Sequence, residues 1–81
     1  MRLQVRLFAV VRQWAGADAV ELDLPDRATV ADLRRAMLTH LPRLVQFGPQ
    51  LRFSVNSQYA DDATPIPAAA EVACIPPPSG G

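Results

Sequence analysis

The stretch TVADLRRAMLTHLP, residues 29–42, predicts the one long helix of this chain, around which the other segments are arranged. Thr29 is a good N-cap residue, because its hydroxyl can accept a hydrogen bond from a backbone N–H of the first turn. Asp32 places negative charge in that turn, where it suits the helix dipole. Pro42 ends the helix, since the residue before a proline is pushed out of helical dihedral angles. One apolar stripe runs along the helix at helical spacing: Val30, Leu33, Met37 and Leu41.

Two segments before this helix and two after it alternate apolar and polar residues, which is the pattern of half-buried strands. They are RLQVRLFA (2–9), AVELDLP (19–25), LRFSVN (51–56) and EVACI (71–75). We expect the first two to pair antiparallel, and the last to pair parallel to the first across the helical crossover. The predicted fold class is α+β: a four-stranded mixed sheet, one main helix on one face, and short helical turns near 9–16 and 43–48. This order resembles the β-grasp arrangement of ubiquitin.

Length and composition narrow the classes of function. The chain has 81 residues, enough for one domain, and eight arginines balance eight acidic residues. We therefore expect no nucleic acid and no membrane partner. Neither a signal peptide nor a run of about 18 apolar residues is present, and one cysteine cannot form an internal disulfide, so we expect a cytoplasmic protein. Zinc-ligand spacings, the P-loop and the GxGxxG pattern are absent, so we expect no bound metal or cofactor.

The last six residues, PPPSGG at 76–81, predict an extended tail beyond a domain of residues 1–75. Proline has no N–H to donate to a strand and favours the polyproline II conformation. A fully extended tail of this length reaches at most roughly 20 Å. Gly80 and Gly81 have no Cβ, so they can enter a channel too narrow for a side chain. These properties suit an end that a second protein grips, and whose carboxyl group it activates.

Two other interpretations of this ending are weaker. At a glycine usage near 7%, two terminal glycines arise by chance in only about 0.5% of chains. A proline-rich ligand of an SH3-like domain would be expected to carry a flanking basic residue, which PPPSGG lacks. The sequence therefore favours a reactive end over a frayed terminus or a proline-rich ligand.

Several segments together resemble the molybdopterin synthase small subunit family, the sulfur carriers of molybdenum cofactor synthesis. EVACIPPPSGG (71–81) looks like the closing strand and tail of that family, and it is the most specific piece. VRLFAVVRQWAG (5–16) resembles its opening strand and turn, TVADLRRAM (29–37) the start of its helix, and VN (55–56) its third strand. The resemblance spans the whole chain and implies the β-grasp fold.

The resemblance also implies a mechanism in which this chain is not a catalyst on its own. A ubiquitin-activating-type enzyme would adenylate the carboxylate of Gly81 at the expense of ATP, with Gly80 beside it. A sulfur donor protein would then convert the carboxylate to a thiocarboxylate. The large subunit of molybdopterin synthase, in a heterotetramer, would take the tail into its active site. There the sulfur would pass to a cyclic pterin monophosphate to form molybdopterin.

The sequence departs from this family in two places. Residues 68–70 are alanines, where the family usually has a Gly-Asp type turn, so the turn before the last strand is expected to differ. Cys74 stands where a bulky apolar residue is usual. Neither departure touches the chemistry of the tail.

Other functions remain open at this stage. Within the same class, a thiamine-thiazole sulfur carrier shares the Gly-Gly chemistry, but is usually shorter and has no proline stalk. From a second class, a ubiquitin-like protein modifier would be conjugated through Gly81 to a target lysine. The chain itself contains no lysine, which excludes lysine-linked chains of itself but not single attachment. A third possibility is an interaction module with an inert tail.

A docking patch is predicted on the face of the sheet away from the helix. Phe8 is in phase with the polar residues of the first strand, and Ile75 is in phase with those of the last. Tyr59, just past the third strand, can join them, and clustered apolar side chains on a solvent face indicate a binding surface. The predicted docking site also includes Pro76, Pro77 and Ser79 of the tail, because a partner that holds the tail would touch them.

Four further features are assigned structural roles. Cys74 should point into the core as a small apolar residue, and not act as a sulfur relay. His40 lies at a helix C-terminus, where a cation suits the dipole. Trp14 should cover one edge of the core. Residues 61–62 are a pair of aspartates in a loop, expected to be solvated and not to bind metal.

Overall fold

The computed structural model describes residues 1–78 of the chain. It contains five strands, two α-helices and one 3₁₀ segment: β1 Arg2–Leu7, α1 Ala9–Ala15, β2 Ala19–Asp23, α2 Val30–His40, the 3₁₀ segment Pro42–Gln50, β3 Arg52–Val55, β4 Gln58–Ala60 and β5 Val72–Ile75. The strands form one sheet in the order β2-β1-β5-β3-β4. β1 pairs antiparallel with β2 and parallel with β5, as predicted, while β3 is antiparallel to both β5 and β4. This is the expected β-grasp arrangement.

The sheet has five strands and not the four predicted, because a hairpin follows β3. Val55 of β3 pairs with Gln58 of β4, so the loop is the two residues Asn56 and Ser57. Both have positive φ, 51° and 69°, as a type I′ turn requires. β4 is three residues long, too short for a period-two pattern, and its turn lacks the usual glycine. Tyr59, predicted just past the third strand, therefore lies on a strand of its own, β4.

Helix α2 begins and ends where the sequence predicts. The Thr29 N–H donates to the Asp32 carboxylate at 2.9 Å, and the Asp32 N–H donates to the Thr29 hydroxyl at 3.4 Å, which together form a capping box. The backbone hydrogen bond from Thr29 holds the pKa of the Asp32 carboxyl below its usual range. At the other end, Leu41 leaves helical geometry (φ −130°) before Pro42, and His40 lies exposed in the last turn.

The loop of residues 61–70 closes the N-terminus of α2. The first N–H groups of a helix have no partner within the helix. Here the Val30 N–H donates to the Thr64 carbonyl and the Ala31 N–H to the Asp62 carbonyl, both at 3.0 Å. The buried Ile66 side chain joins the core beneath this loop. The loop is therefore part of the folded body.

The core lies between the sheet and α2. On the helix the predicted stripe is buried at Val30, Leu33 and Met37 and half-buried at Leu41. From the sheet, the inward positions of β1, β3 and β5 meet it: Leu3, Val5, Leu7, Phe53, Val55, Val72 and Cys74. Cys74 thus points inward, as predicted. Burial raises the pKa of its thiol to about 12, so the thiol is neutral and shielded, and it behaves as an apolar residue.

Arg34 of α2 links the helix to the sheet and to the loop of residues 61–70. Its side chain is half-buried and spans from α2 to the start of β3, where it donates to the Leu51 carbonyl. It also pairs with Asp62 at 3.0 Å and lies 5.2 Å from the centroid of the Phe53 ring. Asp61, the other member of the acidic pair, accepts hydrogen bonds from Ala63 and Thr64 in its own turn. The two aspartates thus have structural partners.

Within residues 1–78, no helix is both long and apolar enough to cross a membrane.

Candidate functional site

The candidate site is the exit of the C-terminal tail from the body. β5 lies in the middle of the sheet, between β1 and β3, and ends at Ile75. Pro76 is buried, Pro77 is half-buried and Pro78 is exposed. Pro76, the first residue of the predicted tail 76–81, thus packs against the body, and Pro78 is the first residue of the tail that is exposed. Ser79, Gly80 and Gly81, on which the predictions for the reactive end fall, lie outside the described residues.

One side of the exit is a groove between α1 and the 3₁₀ segment, which we call the tail groove. It is lined by residues 76–78 and, among others, by Phe8, Trp14 and Phe47. The rings of Trp14 and Phe47 are stacked, with centroids 5.4 Å apart and planes 14° apart. Trp14 is half-buried against the core, which confirms its predicted position at a core edge. The tail thus leaves the body beside a wall of aromatic side chains.

The other side of the exit is the outer face of the sheet, away from α2. Cross-strand partners share a face of a sheet, and the register places Ser54 opposite both Ala73 and Tyr59. Ile75 lies one step further along β5, opposite Arg52, on this same outer face. Ala73 has a small side chain, and a shallow groove runs over it between Phe8 and Ser54.

The three body residues of the predicted docking patch, Phe8, Tyr59 and Ile75, all lie on this outer side. Phe8 is 42% exposed and Tyr59 63% exposed, while Ile75 is half-buried. Phe8 and Ile75 line both the tail groove and the groove over Ala73. Tyr59 lies on the edge strand β4, which is separated from β1, the strand that Phe8 follows, by β5 and β3. The structure therefore brings Phe8 and Ile75 together at the exit and leaves Tyr59 at the margin of the patch.

Sequence reasoning missed the arginines of this site. Arg6 lies 5.9 Å from the centroid of the Phe8 ring, and Arg52 lies 4.7 Å from that of Tyr59. Arg43 lies 4.1 Å from the Trp14 ring. The i, i+2 spacing of Arg6 and Phe8 on one strand was the only signal in the sequence. The other two pairs join separate elements and need the folded chain.

The described part of the exit is lined mainly by aromatic, aliphatic and proline side chains. Its polar side chains are those of Arg6, Glu71, two serines and three glutamines. Among residues 1–78, no group of three or more His, Cys, Asp or Glu residues is placed to hold a metal ion.

A family comparison identifies the class of protein. The ThiS family model matches residues 5–81. This chain belongs to the ThiS family. A ThiS-family chain with a ubiquitin-like fold is a small sulfur carrier, and the observed β-grasp body followed by a Gly-Gly end agrees with that class.

Several solved structures are similar to this ThiS-family chain over nearly its whole length. SAMP1 from Haloferax volcanii is 29% identical, with complete coverage of both chains and a TM-score of 0.83. A putative molybdopterin converting factor, subunit 1, from Pyrococcus furiosus is 27% identical over 95% of this chain and 98% of that one, also with a TM-score of 0.83. The complex of subunits 1 and 2 of the molybdopterin-converting factor from Helicobacter pylori matches at 22% identity, full coverage of both chains and a TM-score of 0.66, and shows the shared fold.

Proposed function

We propose that this ThiS-family chain is the sulfur-carrying small subunit of molybdopterin synthase. The observation that carries the proposal is the placement of PPPSGG directly after the central strand β5, at an exit flanked by exposed apolar side chains. Whole-length similarity to the molybdopterin converting factor subunit 1 of Pyrococcus furiosus supports the choice of pathway.

In the proposed cycle, an ATP-dependent activating enzyme of the ubiquitin type first adenylates the Gly81 carboxylate. One carboxylate oxygen attacks the α-phosphorus of ATP, and pyrophosphate leaves. Sulfur delivered by a donor protein then displaces AMP, and the chain end becomes a thiocarboxylate. A thiocarboxylate sulfur is ionised at neutral pH and nucleophilic, by the same reasoning that applies to thiolates. Gly80 keeps the approach to this end free of side chains.

The large subunit of molybdopterin synthase would supply the pterin pocket and the catalytic groups. In our proposal, Phe8, Ile75 and Tyr59 hold the body against that subunit while Pro77 and Ser79 lie along the entrance to its active site. An apolar anchor at the base of a short tail raises the effective concentration of the tail end at the partner's active site. The two-subunit complex known from Helicobacter pylori is the precedent for such an assembly.

The proposal is tested by the mass of the chain purified from its own cells. The intact protein should show one oxygen-to-sulfur exchange at Gly81, and it should co-purify with a larger subunit that makes molybdopterin from the cyclic pterin. A chain extended beyond Gly81 by a cleavable peptide should be inactive, and cleavage after Gly81 should restore activity. Full activity of the uncleaved, extended chain would refute the proposal.

A thiazole-forming sulfur carrier would show the same mass change. It would co-purify with a thiazole-forming enzyme, and its deletion would produce a thiamine requirement while leaving molybdenum enzymes active. That pair of results would keep the sulfur-carrier class and overturn the molybdopterin assignment.

A second candidate is a protein modifier. It is favoured by the similarity to SAMP1, the small archaeal modifier protein 1, from Haloferax volcanii. In that case the activated Gly81 carbonyl would be attacked by a lysine ε-amine of a target, AMP or a thiol would leave, and an isopeptide bond would form. Covalent adducts of many masses, each lost when Gly81 is deleted, would establish this activity. Because the chain has no lysine, its adducts should contain no lysine-linked chains of it.

A further inference from the structure

Three arginines near the tail exit have an aromatic ring as their partner. The distances from guanidinium carbon to ring centroid are 5.9 Å for Arg6 and Phe8, 4.1 Å for Arg43 and Trp14, and 4.7 Å for Arg52 and Tyr59. None of the three lies within 4.0 Å of a carboxylate oxygen in the described chain. We call Arg6, Arg43 and Arg52 the arginine rim.

The arginines elsewhere in the described chain contrast with this rim. Four of them have an aspartate or glutamate within the ion-pair distance: Arg2, Arg12, Arg34 and Arg35. The remaining one, Arg27, lies beside Met1 and Pro65. That position is at the start of β1, whereas the tail leaves beside the end of β1, where Leu7 is paired with Cys74. The arginines left without a carboxylate are thus concentrated around the exit.

Each rim arginine lies at a different side of the tail. Arg52 is the register partner of Ile75, the last residue before Pro76. Arg6 lies on β1, at the edge of β5 opposite to that of Arg52. It pairs with Ala73 and lines the groove over that residue. Arg43 covers Trp14, which lines the tail groove together with residues 76–78. The three guanidinium groups thus border the tail exit on different sides.

A guanidinium that rests on an aromatic face keeps its N–H donors free at its edges. Stacking on the ring holds the planar group in place through the attraction between the cation and the electron-rich ring face. The donors then match a carboxylate, which accepts two parallel hydrogen bonds from them. Arginine and aromatic residues are also the side chains enriched at the centres of protein–protein interfaces.

We propose that the arginine rim binds carboxylates on the partner protein around the entrance that receives the tail. The rim would steer and orient the body, while Phe8 and Ile75 supply the apolar contact. This inference rests on the proposed function and deepens it, because it gives the chemistry of the partner's surface: an apolar depression bordered by aspartate or glutamate side chains.

The surrounding charges favour a protein over a nucleic acid. The net charge of the chain is zero. Acidic side chains lie on the outer side of the sheet together with Arg6 and Arg52. Glu21 and Asp23 of β2 pair with Arg2 of β1, and Glu71 lines the same groove as Arg6. A phosphate backbone crossing this face would meet those carboxylates. A protein surface can place its own carboxylates at three separate points.

The test measures association with the recombinant large subunit of molybdopterin synthase from the same organism. The triple variant R6Q/R43Q/R52Q should associate about tenfold more slowly than the wild type at low ionic strength, and its rate should depend less on salt. The matched control R2Q/R12Q/R35Q removes the same number of charges from arginines that already have carboxylate partners. It should associate at a rate within about twofold of the wild type near 0.1 M salt, where screening acts over about 10 Å.

A second triple variant separates charge from a loss of structure. R6K/R43K/R52K keeps the charges but loses the planar fork, so it should keep the wild-type association rate and dissociate faster. All variants should remain folded at the assay temperature, as checked by circular dichroism, because the side chains of the substituted arginines are exposed.

Four outcomes would overturn the inference or its basis. A wild-type rate in the glutamine triple would refute the rim and leave the sulfur-carrier proposal intact. An equal loss in both glutamine triples would show that net charge alone matters. Binding of poly(U) RNA that only the rim variant loses, with an unchanged rate toward the large subunit, would assign the rim to nucleic acid. A wild-type chain that fails to bind the large subunit would contradict the proposed function itself.

Discussion

Ala69 adopts a backbone conformation that favours glycine. Its φ is +61°, in the left-handed region, which costs a residue with a Cβ about 1–2 kcal/mol. The alanines at 68–70 were noted in the sequence as a departure from the family's Gly-Asp type turn. The structure shows the consequence of that departure, since the turn keeps a left-handed residue without the glycine that would tolerate it.

Ala69→Gly should therefore stabilise the protein by about 0.5–1 kcal/mol, since relief of the left-handed strain exceeds the entropy that glycine loses on folding. Urea unfolding measures the difference. Ala68→Gly is the matched control, because Ala68 is also exposed but is not among the residues with positive φ. It should destabilise the fold slightly. If both variants lower stability, the strain at Ala69 is not released by glycine.

Cys74 gives a prediction for alkaline pH. Burial raises the pKa of its thiol from the ordinary 9.0 to about 12, so the folded state retains a proton that the unfolded chain loses. Its contribution to stability is intact below the unfolded pKa and falls as the pH rises from 9.0 toward 12. The native thiol should also resist alkylation near pH 8 and react once the chain is unfolded in urea.

The control for this prediction is Cys74→Val, which stays apolar and cannot titrate. Its unfolding free energy should fall less than that of the wild type over the same pH interval. Parallel pH curves for the two proteins, or rapid alkylation of the folded wild type, would show that the thiol is not shielded as the structure indicates.

At the scale of elements, α2 is the part that the sequence specifies most completely. Its N-cap, its stripe and its proline stop are local signals, so Thr29, Asp32 and Pro42 could be assigned without knowledge of the fold. β4 carries no such signal, because three residues and an Asn-Ser turn show no periodicity. The burial of Pro76 was also missed, since it depends on α1 and the 3₁₀ segment meeting beside β5.

The capping box of α2 can be tested within the helix itself. Thr29→Ala should destabilise the protein by about 1 kcal/mol, because the first turn loses its side-chain acceptor. Thr39→Ala changes an exposed residue of the last turn, whose hydroxyl only donates back to the Arg35 carbonyl, and should leave stability within about 0.5 kcal/mol. Thermal unfolding compares the two, and equal effects would contradict the cap.

The same cap should respond to acid. The pKa of Asp32 is lowered chiefly by the hydrogen bond from the Thr29 N–H, so its contribution is present at neutral pH and is lost as the pH falls through the lowered value. Asp32→Asn should flatten this part of the stability–pH curve. A curve that is identical to that of the wild type would rule out a role for the carboxylate.

At the scale of the whole molecule, the predicted patch can be tested through binding. Phe8→Ala and Tyr59→Ala should each weaken binding of the large subunit about tenfold, as truncation of an interface anchor does, without changing the melting temperature. Val45→Ala is the matched control, because Val45 is 70% exposed and lies among residues of α2 and the 3₁₀ segment, away from the patch. Calorimetry or biolayer interferometry would measure the affinities. An equal loss in all three variants would contradict the patch.

The sequence could predict the members of this patch but not its full composition. Period-two phase places Phe8 and Ile75 on the outer face, and that inference needs no coordinates. Arg43 reaches Trp14 only because the 3₁₀ segment folds back against α1, and Arg52 reaches Tyr59 only because β4 exists. Contacts between separate elements depend on the register and packing of the whole chain, which one sequence does not specify.

The central position of β5 has a mechanical consequence. A partner that draws on the chain end pulls β5 lengthwise, and β5 is bonded along both edges, in parallel to β1 and antiparallel to β3. The hydrogen bonds on the two edges share such a load and must give way together before the strand can slide. A partner that held the last residues in a narrow channel could therefore pull on them without separating β5 from the sheet.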